Sequence, residues 1–313
     1  MTYAFGIEIE AAFEAPGLPE GSSPVVLPRA VVERVAPEAV DDAWSDASPE
    51  RILEENFGGG SAPDRTIDRD PDLGYRLYAR HFGTALISPG GEHVLCAPPA
   101  VAAWRWQRFL VGRVLPWTAL LRGRELIHAS AVRIGDHAIA FAAETGVGKT
   151  SLAVQHVLRG ATLLTDDVLA IEPTEDALLA HPGASIVAVR PGEKEAIERR
   201  EWLRLGKVLG VGGKTYVNLP REPAPVSLGA IYFVTRGSGA TGIEAGADAR
   251  QILASAFIAG VSSPERLVGL LDLASQISAR VPTFQLRIGA DSDARRAAEM
   301  TWEHAAGLEI GAG

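Results

Sequence analysis

Cysteine is nearly absent. The 313-residue chain holds one, Cys96, so no intramolecular disulfide can form. A lone cysteine suits a reducing compartment, and a small buried hydrophobe is its expected role. Long apolar runs are missing too: no stretch approaches the roughly 20 residues of a membrane-crossing helix. The first residues, MTYAFGIEIEAAFEAPG, carry acidic groups where a secretory leader needs positive charge. The expectation is a cytoplasmic protein with no membrane partner. Positive charge is in deficit, with 30 Lys and Arg against 39 Asp and Glu and a net charge of −9. That balance disfavours nonspecific binding to nucleic acid. The histidines fall at no metal-ligand spacing, so no zinc site is expected. Neither an internal repeat nor a guanine-specifying motif is visible.

What is present is a hydrophobic fraction of 47%, enough for a sizeable core in one large or two ordinary domains. Residues 1–100 read as a β-rich N-terminal domain. Tyr3–Phe13 alternates apolar and polar residues, Pro16–Pro28 reads as a loop, and Ala30–Val40 fits a strand or a helix equally well. Ser48–Asp72, with Gly58-Gly59-Gly60, reads as a mobile polar connection. Tyr75–Ile87 and Glu92–Cys96 read as strands about the turn Ser88-Pro89-Gly90-Gly91, which together predict a small antiparallel sheet. Residues 101–313 read as a second, α/β domain. Val101–Leu121 is a helix candidate broken or kinked at Pro116, and its tryptophans are expected in packing.

The most informative stretch is Leu126–Ile171. Strands are expected at Leu126–Ile134 and His137–Ala142, joined at Gly135-Asp136. The loop Ala143-Glu144-Thr145-Gly146-Val147-Gly148-Lys149-Thr150 comes next, then a helix from Ser151 to Leu158 ending at Gly160. This is a phosphate-binding loop pattern in its required context, with Ala143 where the first glycine is usual. Backbone amides and the helix N-terminus suit a phosphate, Lys149 reaches its outer oxygens, and the Thr150 hydroxyl suits Mg²⁺. Thr145, Gly146, Val147, Gly148, Lys149, Thr150 and Ser151 are therefore the candidate donor-binding set, and Glu144 is expected to point outward. A second apolar strand, Thr162–Leu164, leads into Asp166-Asp167. Phosphoryl transfer to a hydroxyl needs one carboxylate for the metal and a base or orienting group for the acceptor. His128 ends a neighbouring strand and could assist. Arg190, Lys214 and Arg221 are candidates for neutralising the transferred group.

Further strands are expected at Val168–Ile171, Ser185–Val189, Lys214–Val217, Ser227–Thr235 and Thr283–Ile288. Val208–Gly213 and Gly237–Gly246 read as glycine-rich loops. Helices are expected at Gly192–Leu205, Ala247–Gly260, Pro264–Arg280 and Ser292–Ala306.

The runs His128-Ala129-Ser130, Thr145–Thr150 and Leu163-Leu164-Thr165-Asp166-Asp167 resemble the catalytic domain of HPr kinase/phosphorylase. They are still more similar to its shorter bacterial relatives, some of which are peptide-modifying kinases. The resemblance covers about Leu126–Ile171 and continues more weakly to Leu286. It implies a P-loop core of the HPr kinase and phosphoenolpyruvate carboxykinase type, with a mixed sheet flanked by helices. It implies ATP or a related phosphate donor, with the choice among ATP, GTP and pyrophosphate open, Asp166 as base toward a serine hydroxyl, His128 in the catalytic centre, and Asp167 with Thr150 in the metal network. The expected activity is a Mg-ATP-dependent kinase acting on a protein or peptide. A small-molecule hydroxyl kinase and a non-catalytic ATP-binding regulator are the alternatives. The acceptor and the oligomeric state, homo-oligomer included, stay open.

Overall fold

The computed structural model describes residues 1–18, 26–57, 60–246, 249–257, 264–290 and 292–308. It is an α/β protein with mixed sheets and helices, dividing into two compact units, Met1–Arg124 and the described residues from Glu125 onward.

The first unit is an eight-stranded sheet. Its strands are β1 (Thr2–Ala4), β2 (Ile7–Ala11), β3 (Arg29–Arg34), β4 (Glu50–Glu55), β5 (Arg65–Asp70), β6 (Gly74–Ala79), β7 (Gly83–Ile87) and β8 (His93–Ala97), in the order β1-β2-β3-β8-β7-β6-β5-β4. It is larger than the expected antiparallel sheet and mixed, because β3 pairs in parallel with both β2 and β8. The undecided segment after Ala30 is both things in turn: β3, then helix α1 (Pro37–Ala43), whose Val40 packs with Trp44, Leu86 and Ala97. The polar stretch expected as a connection forms β4 and β5 instead; its Gly58 and Gly59 lie outside the described residues, as do 19–25 of the expected first loop. These strands are held by cross-strand ion pairs, Arg51 with Asp68 and Arg65 with Glu55. Charge at a sheet edge discourages further pairing, so a polar edge strand carries a weak hydrophobic signal. Gly74 takes φ +94°, and a Cβ there would overlap the Ile87 carbonyl.

The helical run after Pro98-Pro99 belongs to this first unit, although it was expected with the second domain. Helix α2 (Ala103–Phe109) passes through a π-helical turn, Leu110–Val114, into α3 (Leu115–Leu121). Pro116 follows directly on the π-helical turn, and the helical run continues through it. Trp106 meets Phe13 edge-on at 5.3 Å and Trp117 meets Tyr75 at 5.6 Å, so these indoles pack within the unit.

The second unit is built on a nine-stranded sheet. Its strands are β9 (Glu125–Ile127), β10 (Ala129–Ile134), β11 (His137–Ala142), β12 (Thr162–Thr165), β13 (Leu169–Pro173), β14 (Leu178–His181), β18 (Val226–Gly237), β19 (Gly242–Ala245) and β20 (Thr283–Gly289). A smaller sheet holds β15 (Ile186–Val189), β16 (Lys207–Val211) and β17 (Thr215–Asn218). Thus Val208–Gly213 and Gly237–Gly246, expected as loops, each contribute a strand. The helices are α4 (Lys149–Leu158), α5 (Pro191–Ala196), α6 (Arg199–Leu205), α7 (Ala249–Ala254), α8 (Pro264–Arg280) and α9 (Ala294–Ala306). The charged helix expected at 192–205 is two short ones, parted at Ile197 and Glu198. Part of the expected Ala247–Gly260 helix lies outside the described residues.

Alternation on β10, β11 and β18 explains why their apolar runs are nearly continuous. Val132, Ile139, Phe141 and Tyr232 face one core with Leu152 and Ala298. Ala131, Ala140, Ile231 and Phe233 face the other with Leu273 and Ile277. Both faces are covered by helices, as the fully apolar run of a central strand requires. Beside β11, β18 and β20 form a parallel core, with Ala142 opposite Phe233 and Ile231 opposite Thr283.

Candidate active site

Strand register brings the chemistry to one edge. Ala129 at the start of β10 pairs with Ala142 at the end of β11, and Ala131 pairs with Thr165 at the end of β12. His128, the loop after Ala142 and the Asp166-Asp167 pair therefore emerge together. The strand expected through Leu126–Ile134 is interrupted at His128, since Ile127 pairs with Leu169 while Ala129 pairs with Ala142.

The loop runs from Ala143 to Gly148. Gly146 and Gly148 take φ of +91° and +130°, conformations that a side chain would strain. Ala143 causes no such strain: among the described residues the non-glycine ones at positive φ are Phe5, His81 and Asp167. Gly148 opens α4, which has no side-chain cap and no acidic residue in its first turn. Its leading amides are thus left for an anion, which the helix dipole also favours. Glu144 and Thr145 are exposed, whereas Val147 packs partly into the core.

Lys149 is 6% exposed. Its Nζ donates to the loop's own carbonyls, Ala143 O at 2.7 Å and Glu144 O at 3.3 Å. Burial pulls its pKa down, and the Asp167 and Asp166 carboxylates oppose that. An ammonium held by two neutral carbonyls is primed to exchange them for phosphate oxygens.

Asp166 is the centre of a buried polar knot. Its Oδ1 accepts from Ser130 Oγ at 2.6 Å and from Thr150 Oγ1 at 2.9 Å. Its backbone N–H donates to Ala184 O at 2.9 Å, which ties the strand end down. Burial, then the Asp167 charge, pushes its pKa up to about 6, against the opposing pull of Ser130, Thr150 and Lys149. Asp167 differs in every respect. It stands at φ +72° in a tight turn where Val168 N–H donates to Asp166 O and Thr165 Oγ1 donates to Val168 O. Such backbone is tolerated by aspartate but is uncommon, and it aims the second carboxylate away from the first. Asp167 Oδ1 lies 3.4 Å from His128 Nε2, and both side chains are partly exposed. The structure therefore sets Asp166, rather than Asp167, against Thr150, and gives Asp167 to the histidine.

Two arginines border the loop. Arg190, at the end of β15, donates through Nη2 to Gly146 O at 3.4 Å. Arg236, near the end of β18, donates through Nε to Val147 O at 2.9 Å. Arg190 was among the cations singled out in the sequence; Arg236 was not, because only the parallel pairing of β18 with β11 carries it to the loop. Of the other two candidates, Arg221 is bound to the Gly183 carbonyl and Lys214 is exposed on the β16–β17 hairpin. Ser130 also escaped assignment. Its signal was the two-residue spacing from His128, which sets both on one side of an extended chain. Ser151 does not turn to the loop: its hydroxyl donates to Glu193 of α5.

The residues fit a magnesium-bound polyphosphate. Mg²⁺ takes oxygen ligands, usually one or two from protein with the rest from water and phosphate, and Thr150 and Asp166 present hard oxygens side by side. Among the described residues no cluster of three His, Cys, Asp or Glu side chains forms a stand-alone metal site. Among the described residues no helix is long and apolar enough to cross a membrane.

No protein-family model matches the chain, and no curated protein matches it. Among solved structures, the HPr(Ser) kinase/phosphatase from Coxiella burnetii is similar over 57% of this chain and 95% of that one, at 10% identity and a TM-score of 0.31. At that distance the likeness carries no functional inference, and the chemistry is read from this chain's own residues.

Proposed function

We propose that the protein is a Mg-ATP-dependent kinase that transfers a phosphoryl group to a serine-type hydroxyl of a protein or peptide. The observation that carries this reading is the Ser130–Asp166–Thr150 knot beside the loop lysine, with the Asp167–His128 pair on its open side. A module that only binds nucleotide has no need of a second, strained carboxylate paired with histidine.

The roles follow from burial and reach. The loop amides and Lys149 bind the donor's phosphates and orient the terminal one for in-line attack. Thr150 and Asp166 would hold Mg²⁺, which neutralises charge on the donor oxygens when bound. Asp167, steadied by His128, accepts the proton as the acceptor oxygen bonds to the terminal phosphorus. The bond from that phosphorus to the bridging oxygen breaks, and the nucleoside diphosphate leaves. This division exchanges the duties that the family resemblance implies for the two aspartates. Asp166 already accepts two hydroxyl hydrogen bonds and is buried, whereas Asp167 is open to an incoming acceptor.

The test is phosphorylation of a serine-containing peptide library with γ-labelled ATP. Asp167→Asn should keep Mg-ATP binding and lose transfer, while Asp166→Asn should lose Mg-dependent binding. A native protein that binds ATP tightly yet labels no peptide would sink the reading and leave the regulator.

A further inference from the structure

The small three-stranded sheet borders the site along β15. Just before β15, Ala184 O accepts from Asp166 N–H, and just after it Arg190 reaches Gly146 O. The strand thus runs from the carboxylates to the loop. The order is β15-β17-β16, so among the described residues no strand covers the outer side of β16. Register decides which side chains share a face. Val187 pairs with Val217 and Val217 with Val208, while Val189 pairs with Thr215 and Thr215 with Val211. Val187, Val189 and Val217 are buried in the core with Leu152. Val208 and Val211 stand in the same rows, brought to one face by the bulge between Val208 and Gly210, yet they are 44% and 66% exposed. At β16 the core face of the sheet overhangs its cover.

Charge on this edge runs against the rest of the chain. The net charge is −9, yet Arg199 to Lys214 holds five Lys and Arg and one Glu. All five cations are exposed, and among the described residues none has an ion-pair partner. Lys207 pairs across Asn218 and so stands on the face opposite to Val208 and Val211.

We infer that the outer edge of β16 docks an extended acidic segment of the acceptor, which adds to the small sheet as a fourth strand, a conclusion that rests on the kinase reading of the loop. An open edge offers backbone donors and acceptors to any extended chain. A segment that alternates apolar and acidic residues covers Val208 and Val211 on one face and meets Lys207 on the other. A second copy of the chain fits worse. Pairing β16 with its own two-fold mate sets the same basic groups against each other, and a lysine with a bulge is how an edge refuses its own kind. Strands lie about 4.8 Å apart, so the added strand is about 15 Å from β15. A hydroxyl about five residues beyond the segment spans that gap at about 3.3 Å per residue.

Fluorescence anisotropy of labelled short peptides on the intact protein tests the edge. A peptide alternating glutamate and valine should bind at least about tenfold more tightly than its lysine–valine counterpart. It should exceed by a similar factor the same peptide N-methylated throughout, which cannot donate to a strand. Arg204→Glu with Lys207→Glu should weaken the glutamate peptide about tenfold or more and tighten the lysine one. Val211→Asp should weaken the glutamate peptide comparably and serves if the double variant does not fold. Joined to a serine through a glycine linker, the segment should raise labelling by γ-labelled ATP about tenfold over the same serine peptide with the segment added separately. Equal binding of the glutamate and N-methylated peptides, or no gain from the linkage, would overturn the docking edge, while labelling of a serine peptide library would still uphold the kinase. A dimer in sedimentation that Val211→Asp dissolves would give the edge to a second copy instead. If no serine peptide is labelled at all, the kinase reading falls and takes this inference with it.

Discussion

The two flanks of the loop strand are built on opposite principles. On the β10–β12 flank, Ser130 and Thr165 are fully buried and Asp166 is nearly so, and their side chains are committed to short internal hydrogen bonds. On the β18–β20 flank, exposed Arg236 touches a loop carbonyl, and the Ser292 hydroxyl after β20 is buried with no hydrogen-bond partner. Buried, desolvated groups make strong fields that need no reorganisation when a reaction starts, but they weaken the folded state. Exposed groups exert weaker fields and can move with a ligand. The chemistry is therefore assigned to the flank that lowers stability, and ligand fit to the flank that hardly affects it.

The largest effects should come from the buried flank. Lys149→Ala and Asp166→Asn should each lower transfer by about 10³-fold or more, read as initial rates with labelled ATP. Asp167→Asn should lower it by about 10²-fold or more while leaving the Kd for Mg-ATP within about threefold. Should Asp166→Asn retain Mg-ATP binding and Asp167→Asn lose it, the duties of the two carboxylates are reversed.

A stability measurement sharpens the same contrast. The Asp166 carboxyl has its pKa raised by burial from 3.8 to about 6, so the folded state holds that proton longer than the unfolded chain does. The stability it contributes is full below about pH 3.8 and is lost as pH rises through about 6. Asp166→Asn keeps an acceptor for Ser130 and Thr150 without the buried charge. In ligand-free protein it should raise stability at pH 8 by about 3 kcal/mol, an order-of-magnitude figure from that shift, and by well under about 1 kcal/mol near pH 4. Denaturant melts at the two pH values check this, and a variant less stable at pH 8 would contradict the buried-charge account. The smallest effects belong to the two exposed arginines at the loop. Arg190→Gln and Arg236→Gln should weaken ATP by about three- to tenfold, more at low salt, and change stability by under about 0.5 kcal/mol. A loss of stability well beyond that would make them structural props of the loop.

Legibility in the sequence depended on whether a signal was local. Strand, loop and helix around Lys149 are neighbours in sequence, and Gly146 and Gly148 carry the positive φ that their residue type allows. Asp166 and Asp167 are adjacent too, yet their different surroundings were hidden. The φ of +72° at Asp167 turns its carboxylate beside His128, apart from the Asp166 carboxylate bonded to Thr150. In the first unit, β4 and β5 were missed because their ion pairs join residues on different strands, such as Arg51 and Asp68, and leave no apolar period.

The sequence by itself therefore determined the central strands, whose apolar runs demand burial on both faces, and the glycine loop, whose conformation only glycine takes without strain. Only the tertiary structure decided which aspartate meets Thr150 and that Arg236 reaches Val147. Each of these depends on the register of strands far apart in the chain. Register is set by which side chains share a core, and no short window of sequence contains both partners.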